Sequence, residues 1–182
     1  MGRDKASLPF GPETLLQRVV RIVSANVEDV VVVGRPGQEL PPLPASVRIV
    51  RDEVPDQGPL GGLAPGLRAS RAEAVFVTGC DAPFVDVRVI AMLFARLGDA
   101  DAVVPECGGF AQPLCAVYRA RIVPIVDGLV ASVSLSAHRL SGEVASVRVA
   151  EADLRSIDPE LRFLVNCNTP ESYAAALAQA GF

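Results

Sequence analysis

Ala74-Val75-Phe76-Val77-Thr78-Gly79-Cys80-Asp81-Ala82-Pro83 decides the fold class of this chain. The first part, Ala74 to Thr78, reads as a buried strand, apolar on both faces. It breaks at Gly79 and then presents a carboxylate, Asp81, held between a turn and a proline. Working outward, Val30 to Val33 is a second β-branched run, ended by Gly34, and Val47 to Val50 is a third. Between these runs lie helix-like stretches. Leu15, Leu16, Val19, Val20, Ile22 and Val23 share one helical face, with Pro12 and Glu13 suited to a first turn. Leu60 to Arg71 predicts a helix entered through glycines, and Asp86 to Leu97 another. Ala102 to Pro105, Leu114 to Tyr118, Val144 to Val149 and Phe163 to Val165 read as strands. Arg119 to Val130 reads as helical despite Pro124, and Pro170 to Gln179 as a closing helix. The proline-rich stretch with Pro36, Pro41, Pro42 and Pro44 reads as a stiff surface connection rather than a polyproline ligand.

Strands alternating with helices predict an α/β fold, a three-layer α/β/α arrangement around a mainly parallel sheet. Ligands in such sheets bind beyond the carboxyl ends of the strands. The informative segments are therefore Arg51 to Gly62, Gly79 to Pro83 and Asn166 to Thr169. The first helix should cross back from an earlier parallel strand, yet no strand precedes it. Either the sheet starts differently, or the sequence lacks its first strand.

With 182 residues and 19.1 kDa, the chain is the size of one domain, expected to run over residues 1–182. Such a length buries about 70% of the unfolded surface. Half of the residues are hydrophobic and 21% are charged, which excludes a disordered or coiled-coil chain. A net charge of −4 and a pI near 5.0 speak against nucleic acid as a partner. An anionic small molecule remains compatible, since a loop and one or two lysines can hold phosphate. Cys80, Cys107, Cys115 and Cys167 form no C-x-x-C pair, and His138 is the single histidine, which argues against zinc. Buried free thiols in a reducing compartment are the expectation. With no signal peptide and no stretch able to span a bilayer, a cytoplasmic protein without membrane association is expected.

Three positions invite chemistry, each with a plain structural alternative. Asp81 suits a divalent cation, because Mg²⁺ is held by one or two carboxylates with water and phosphate oxygens. Equally, it suits the cap of the following helix. Lys5 could neutralise phosphate as a point charge, although an ordinary solvated lysine accounts for its spacing better. Asp52, followed by Gly58-Pro59-Leu60-Gly61-Gly62, could accept two parallel hydrogen bonds from guanine, or simply precede a glycine-rich turn. The run is not a Walker loop, and no G-x-G-x-x-G is present. Without a G-x-S-x-G, His138 reads as a surface helix residue rather than part of a hydrolase triad.

Met1-Gly2-Arg3-Asp4-Lys5, Asp52 with Gly58-Pro59-Leu60-Gly61-Gly62, Gly79-Cys80-Asp81-Ala82-Pro83, Gln112-Pro113-Leu114 and Asn166-Cys167-Asn168-Thr169-Pro170-Glu171 occur in order along the chain. Together they resemble the molybdenum cofactor guanylyltransferases of MobA type, nucleotidyltransferases with a Rossmann-like sheet. The resemblance implies transfer of GMP from Mg·GTP to molybdopterin, forming molybdopterin guanine dinucleotide and releasing pyrophosphate. It implies Lys5 on the GTP phosphates, Asp81 on Mg²⁺, Asp52 in GTP binding, and Asn166 and Asn168 on the pterin side. Lys5 and Asp81 would be the catalytic pair. Partners would be GTP, molybdopterin and molybdoenzyme-maturation proteins. The M-G-x-D-K and C-D-x-P motifs are shared with cytidylyl- and sugar-phosphate nucleotidyltransferases, a rival reading. A truncated, non-catalytic domain is another. The family pattern opens with a strand and an L-A-G-G-x-S-x-R loop ahead of M-G-x-D-K. That piece is absent here, so Met1 is expected to be an internal methionine. The gap would leave neighbouring strands with unpaired backbone groups, at about 1–3 kcal/mol for each buried one. Gly34 stands where the family often has a polar residue, so base contact there would come from backbone.

Overall fold

The structure is a computed structural model and describes residues 4–52, 58–132 and 137–182, without the side chains of residues 58–60, 137, 138 and 141. The opening Met1-Gly2-Arg3 and the side chain of His138 therefore lie outside the described residues.

In chain order, the elements are β1 (Pro9–Phe10), β2 (Glu13–Thr14), α1 (Leu15–Ser24), β3 (Val31–Gly34), β4 (Arg48–Arg51), α2 (Gly58–Ala69) and β5 (Ala74–Thr78). There follow α3 (Val87–Ala95), β6 (Ala102–Cys107), β7 (Phe110–Ala111), β8 (Cys115–Arg119), α4 (Val123–Ala131), α5 (Ala137–Glu143), β9 (Ser146–Val149), α6 (Glu151–Arg155) and α7 (Pro170–Ala180).

Layering follows from the two-residue alternation of the strands. Ala102 and Val104 of β6, with Ala116 and Tyr118 of β8, pack on Leu63 and Leu67 of α2 and Val126 of α4. Val103 and Val117 point the other way, onto Val89 and Leu93 of α3 and Leu154 of α6. Helices thus cover both faces, and the α/β/α arrangement holds.

Among the long described strands, β5, β6 and β9 run the same way, as the sequence predicts, and β8 runs against them. β3 pairs with β4 and β6 with β9 in parallel. β8 runs antiparallel to both β5 and β6, and β7 antiparallel to β6. The reason is the short return between β6 and β8. Gly108 and Gly109 take positive φ of 58° and 79° and turn the chain through β7. A connection this short cannot carry a parallel crossover, which needs a dozen residues or more.

Among the described residues the strands form separate sheets, β3-β4 on one side and β5-β8-β6-β7 with β9 on the other. A gap lies between β3 and β5. Two helices bridge it. On one face α1 packs Leu16 and Val20 against Val30 and Val32, and Val19 against Phe76. On the other face α2 packs Leu63 and Leu67 against Val75 and Val77. Its Gly62 and Gly66 lie under Val33, where a Cβ would stand 3.8 and 3.2 Å from the valine methyls. Every residue of β5 is only half-buried, as are Val31 to Val33. Their composition predicts fully covered strands; their open edges explain the difference.

Several boundaries also differ. α1 starts at Leu15, not at Pro12-Glu13, because Thr14 and Gln17 form a reciprocal capping box. Glu13 instead belongs to the β1–β2 hairpin. Pro124 falls in the first turn of α4, where its missing N–H costs nothing. Phe163 to Val165 is not a strand: Arg162–Leu164 is a 3-10 turn. Leu161 before it adopts φ 52°, and the buried Asp158 carboxylate accepts the Phe163 N–H at 3.1 Å. The backbone donor a strand would pair is thereby used locally. All four cysteines are free thiols. Among the described residues no helix is long and apolar enough to cross a membrane.

Candidate functional site

The site is built where β5, the opening turn and the segment before α7 meet. Asp4 caps the 3-10 turn Lys5–Ser7 by accepting the Ala6 N–H at 3.1 Å. Its second oxygen accepts Gln38 Nε2 at 2.7 Å, which ties the turn to the loop after β3. So anchored, the turn sends Lys5 across to the end of β5. Lys5 Nζ lies 2.8 Å from Asp81 Oδ2 and donates to Asn168 Oδ1 at 2.5 Å. The side chains are partly screened, Asp81 being 17% exposed and Lys5 34%.

Asp81 is set in place by its neighbours. A Cβ at Gly79 would stand 2.5 Å from Asp81 Oδ1, so the carboxylate lies over space that only glycine leaves free. The Asp81 carbonyl accepts the Cys167 N–H at 2.9 Å, joining the turn to the segment that carries Asn168. The cap of α3 is Asp86, whose side chain accepts the Arg88 N–H. Asp81 therefore does not cap that helix. Its Oδ2 faces the ammonium, while Oδ1 lies on the glycine side.

Two thiols flank this carboxylate. Burial, with the Asp81 charge adding to it, pushes both Cys80 and Cys167 up to about 11. Both stay protonated at neutral pH, as poor nucleophiles and poor metal ligands.

Lys5, Asp81 and Asn168, singled out from the sequence, thus converge. Asp52 and Asn166 stand apart from that contact. The Asp52 N–H donates to Gly34 O at 2.9 Å, at the carboxyl end of β3 beside the loop that holds Asp4. Exposed Asn166 turns its amide back to Leu164 O at 3.2 Å. Sequence reasoning misses Asp4 and Gln38 as positioning residues. Asp4 is visible in the opening motif, but nothing marks Gln38 within a proline-rich loop. No group of three or more potential metal ligands occurs among the described residues, so a cation here would rest on one carboxylate. The hard oxygens of Asp81 and Asn168 fit Mg²⁺, which takes few protein ligands alongside water and phosphate.

Residues 1–147 match the model of the MobA-like NTP transferase domain. The chain belongs to this family. It is, accordingly, a nucleotidyltransferase. It is 38% identical to the probable molybdenum cofactor guanylyltransferase of Mycobacterium avium (strain 104), over 99% of this chain and 89% of that protein. A protein of the same description from Mycobacterium tuberculosis (strain H37Rv) is 38% identical over 86% of this chain and 80% of its own length. Among solved structures, molybdopterin-guanine dinucleotide biosynthesis protein A from Archaeoglobus fulgidus superposes with a TM-score of 0.81 at 21% identity, covering 99% and 92% of the two chains. The 2-C-methyl-D-erythritol 4-phosphate cytidylyltransferase of Thermus thermophilus gives a TM-score of 0.73 at 18% identity, covering 98% and 94%. These likenesses establish the nucleotidyltransferase fold.

Proposed function

We propose that this chain, acting as one domain over residues 1–182, transfers GMP from GTP to molybdopterin, making molybdopterin guanine dinucleotide. The supporting observation is the convergence of Lys5, Asp81 and Asn168 beyond β5, in a chain 38% identical to proteins named as guanylyltransferases of this cofactor. In the reaction, a terminal phosphate oxygen of molybdopterin attacks the α-phosphorus of GTP. The new P–O bond forms as the bond to the β-phosphate oxygen breaks, and pyrophosphate leaves. Such displacement depends on positioning and charge neutralisation more than on a strong base.

Lys5 supplies a compact positive charge for the triphosphate. Asp81 would hold Mg²⁺, which offsets charge on the transferring group and on the departing pyrophosphate. Binding the nucleotide would exchange the Lys5–Asp81 ion pair for lysine–phosphate and carboxylate–metal contacts, with Gly79 leaving Oδ1 room to turn. Asn168, already in contact with Lys5, stands on the acceptor side with Asn166. Asp52, at the end of β4, is assigned to the guanine edge, whose adjacent N–H and NH₂ groups suit a carboxylate. A soluble cytoplasmic enzyme accords with this reading.

The test is pyrophosphate release by the purified chain with GTP, molybdopterin and MgCl₂. Asp81→Asn should lower the rate by at least about a hundredfold while circular dichroism and melting temperature stay close to wild type. Undiminished turnover in that variant would remove the metal assignment. A kcat/KM for CTP well above that for GTP would replace the guanylyl reading with a cytidylyl one.

A further inference from the structure

A second polar cluster lies beside Asp52, at the carboxyl ends of β3 and β4. Gly34 ends β3 and stands in register with Arg51. A Cβ at Gly34 would lie 2.5 Å from Arg51 Nη1 and 3.4 Å from Gln38 Oε1. The guanidinium therefore rests in the space that glycine leaves open. Its one hydrogen bond among the described residues runs from Nη1 to Arg35 O, at a long 3.4 Å. Arg51 is exposed, and its other N–H donors make no hydrogen bond to a described residue.

The backbone beneath this seat is already committed. Gly34 O accepts the Asp52 N–H at 2.9 Å, and the parallel register directs the Gly34 N–H to β4 as well. A base at this end of the sheet thus meets no idle backbone group of Gly34, contrary to the expectation from the sequence. It meets the Arg51 side chain. The seat is also held from below. The loop after β3 closes by Gln38 N–H to Arg35 O at 3.1 Å. The Gln38 side chain accepts the Arg35 N–H at 2.9 Å and donates to Asp4 at 2.7 Å. Asp4 caps the turn that carries Lys5. One chain of hydrogen bonds therefore runs from the Arg51 guanidinium to the lysine assigned to the phosphates.

Arg51 and Asp52 are neighbours, one purely a donor and the other, when ionised, purely an acceptor. Guanine carries the complementary groups side by side: acceptors at O6 and N7, donors at N1–H and the 2-amino group. Adenine sets an amino group in place of O6 and would turn a donor toward the guanidinium. We propose that Arg51 is a specificity-determining residue of this nucleotidyltransferase. It donates to O6 and N7 of guanine while Asp52 accepts from N1–H and the 2-amino group. The proposal rests on the guanylyl reading of the site and names a residue that enforces it.

The test is calorimetric titration of the full chain, with MgCl₂, by four nucleotides. These are GTP, 7-deaza-GTP (C–H in place of N7), ITP (no 2-amino group) and CTP. Wild type should bind GTP about tenfold or more tightly than 7-deaza-GTP. Arg51→Ala should weaken GTP binding by about tenfold or more and bring GTP and 7-deaza-GTP to near-equal affinity. The preference for GTP over ITP should persist in that variant. Gly34→Ala puts a methyl where the guanidinium lies and should have the same effect with Arg51 intact. The clash there is with the far end of a flexible side chain, so the fold should be kept. Arg51→Lys, which keeps the charge without the planar fork, should not restore the discrimination. Equal binding of GTP and 7-deaza-GTP by wild type would overturn the proposal and leave the guanylyl reading intact. So would a loss in Arg51→Ala that is uniform across GTP, 7-deaza-GTP and CTP, the mark of a phosphate contact. Tighter binding of CTP than of GTP by wild type would instead remove the guanylyl reading, and the proposal with it.

Discussion

Gly79 sets the position of the Asp81 carboxylate by what it lacks. Any Cβ there would approach Asp81 Oδ1 to 2.5 Å, and the carboxylate is too short to swing away while keeping Lys5 at 2.8 Å. Gly79→Ala is expected to lengthen or break the Lys5–Asp81 contact. The rate of nucleotidyl transfer should fall about tenfold or more, with little change in melting temperature; transfer kinetics and thermal melts check both. The adjacent thiols carry a second residue-scale prediction. Burial holds Cys80 and Cys167 near 11, so at pH 8 both remain thiols. N-ethylmaleimide should modify them far more slowly than it does in the urea-unfolded chain, as read by peptide mass spectrometry. Lys5, Asp81 and Asn168 are legible as residues because each sits in a short motif at a segment end. Their mutual contact is not. It depends on the Asp4–Gln38 bond and on the Cys167 N–H reaching the Asp81 carbonyl, both long-range in sequence.

Among the elements, β3 and β4 depend on a charged clamp. Arg48 Nη2 lies 2.6 Å from both oxygens of Asp29, which also accepts the Arg71 N–H at 2.9 Å. The clamp ties the approach to β3, the start of β4 and the end of α2. Hydrogen bonding from Arg48 holds the Asp29 carboxyl below its usual 3.8. A lowered folded-state pKa gives stability that is fully present above 3.8 and is lost as pH falls through the lower folded value. Asp29→Asn should cost about 1 kcal/mol at neutral pH, allowing for solvent screening of a partly exposed pair. The penalty should shrink below pH 4. Urea titrations at pH 7 and pH 3 test both statements. Element identity is well marked where periodicity runs long, as in α1, α3 and α7. Short pieces escape: β7 and α6 have too few residues to show a period. The turn at Arg162–Leu164 mimics a strand because Phe163, Leu164 and Val165 form an unbroken apolar run, while the deciding bond comes from Asp158.

For the whole molecule, the divided sheet predicts uneven amide exchange along one strand. In β5, Val75 and Val77 donate to β8, whereas Ala74, Phe76 and Thr78 face the gap. The latter amides should exchange at least about tenfold faster than their neighbours. A uniform protection pattern along β5 would show the edge to be paired.

The amino-acid order alone determined the α/β class, the helices with a full apolar stripe and the segment ends where chemistry collects. Those features rest on side-chain periodicity and turn chemistry within a few residues, which a linear reading captures. Strand direction and pairing were decided only in three dimensions. β8 slips between β5 and β6 because the turn at Gly108 and Gly109 brings it back against β6 and the β5 edge accepts it. Hydrogen bonds across a sheet join residues distant in sequence, and apolar periodicity carries no label for the partner.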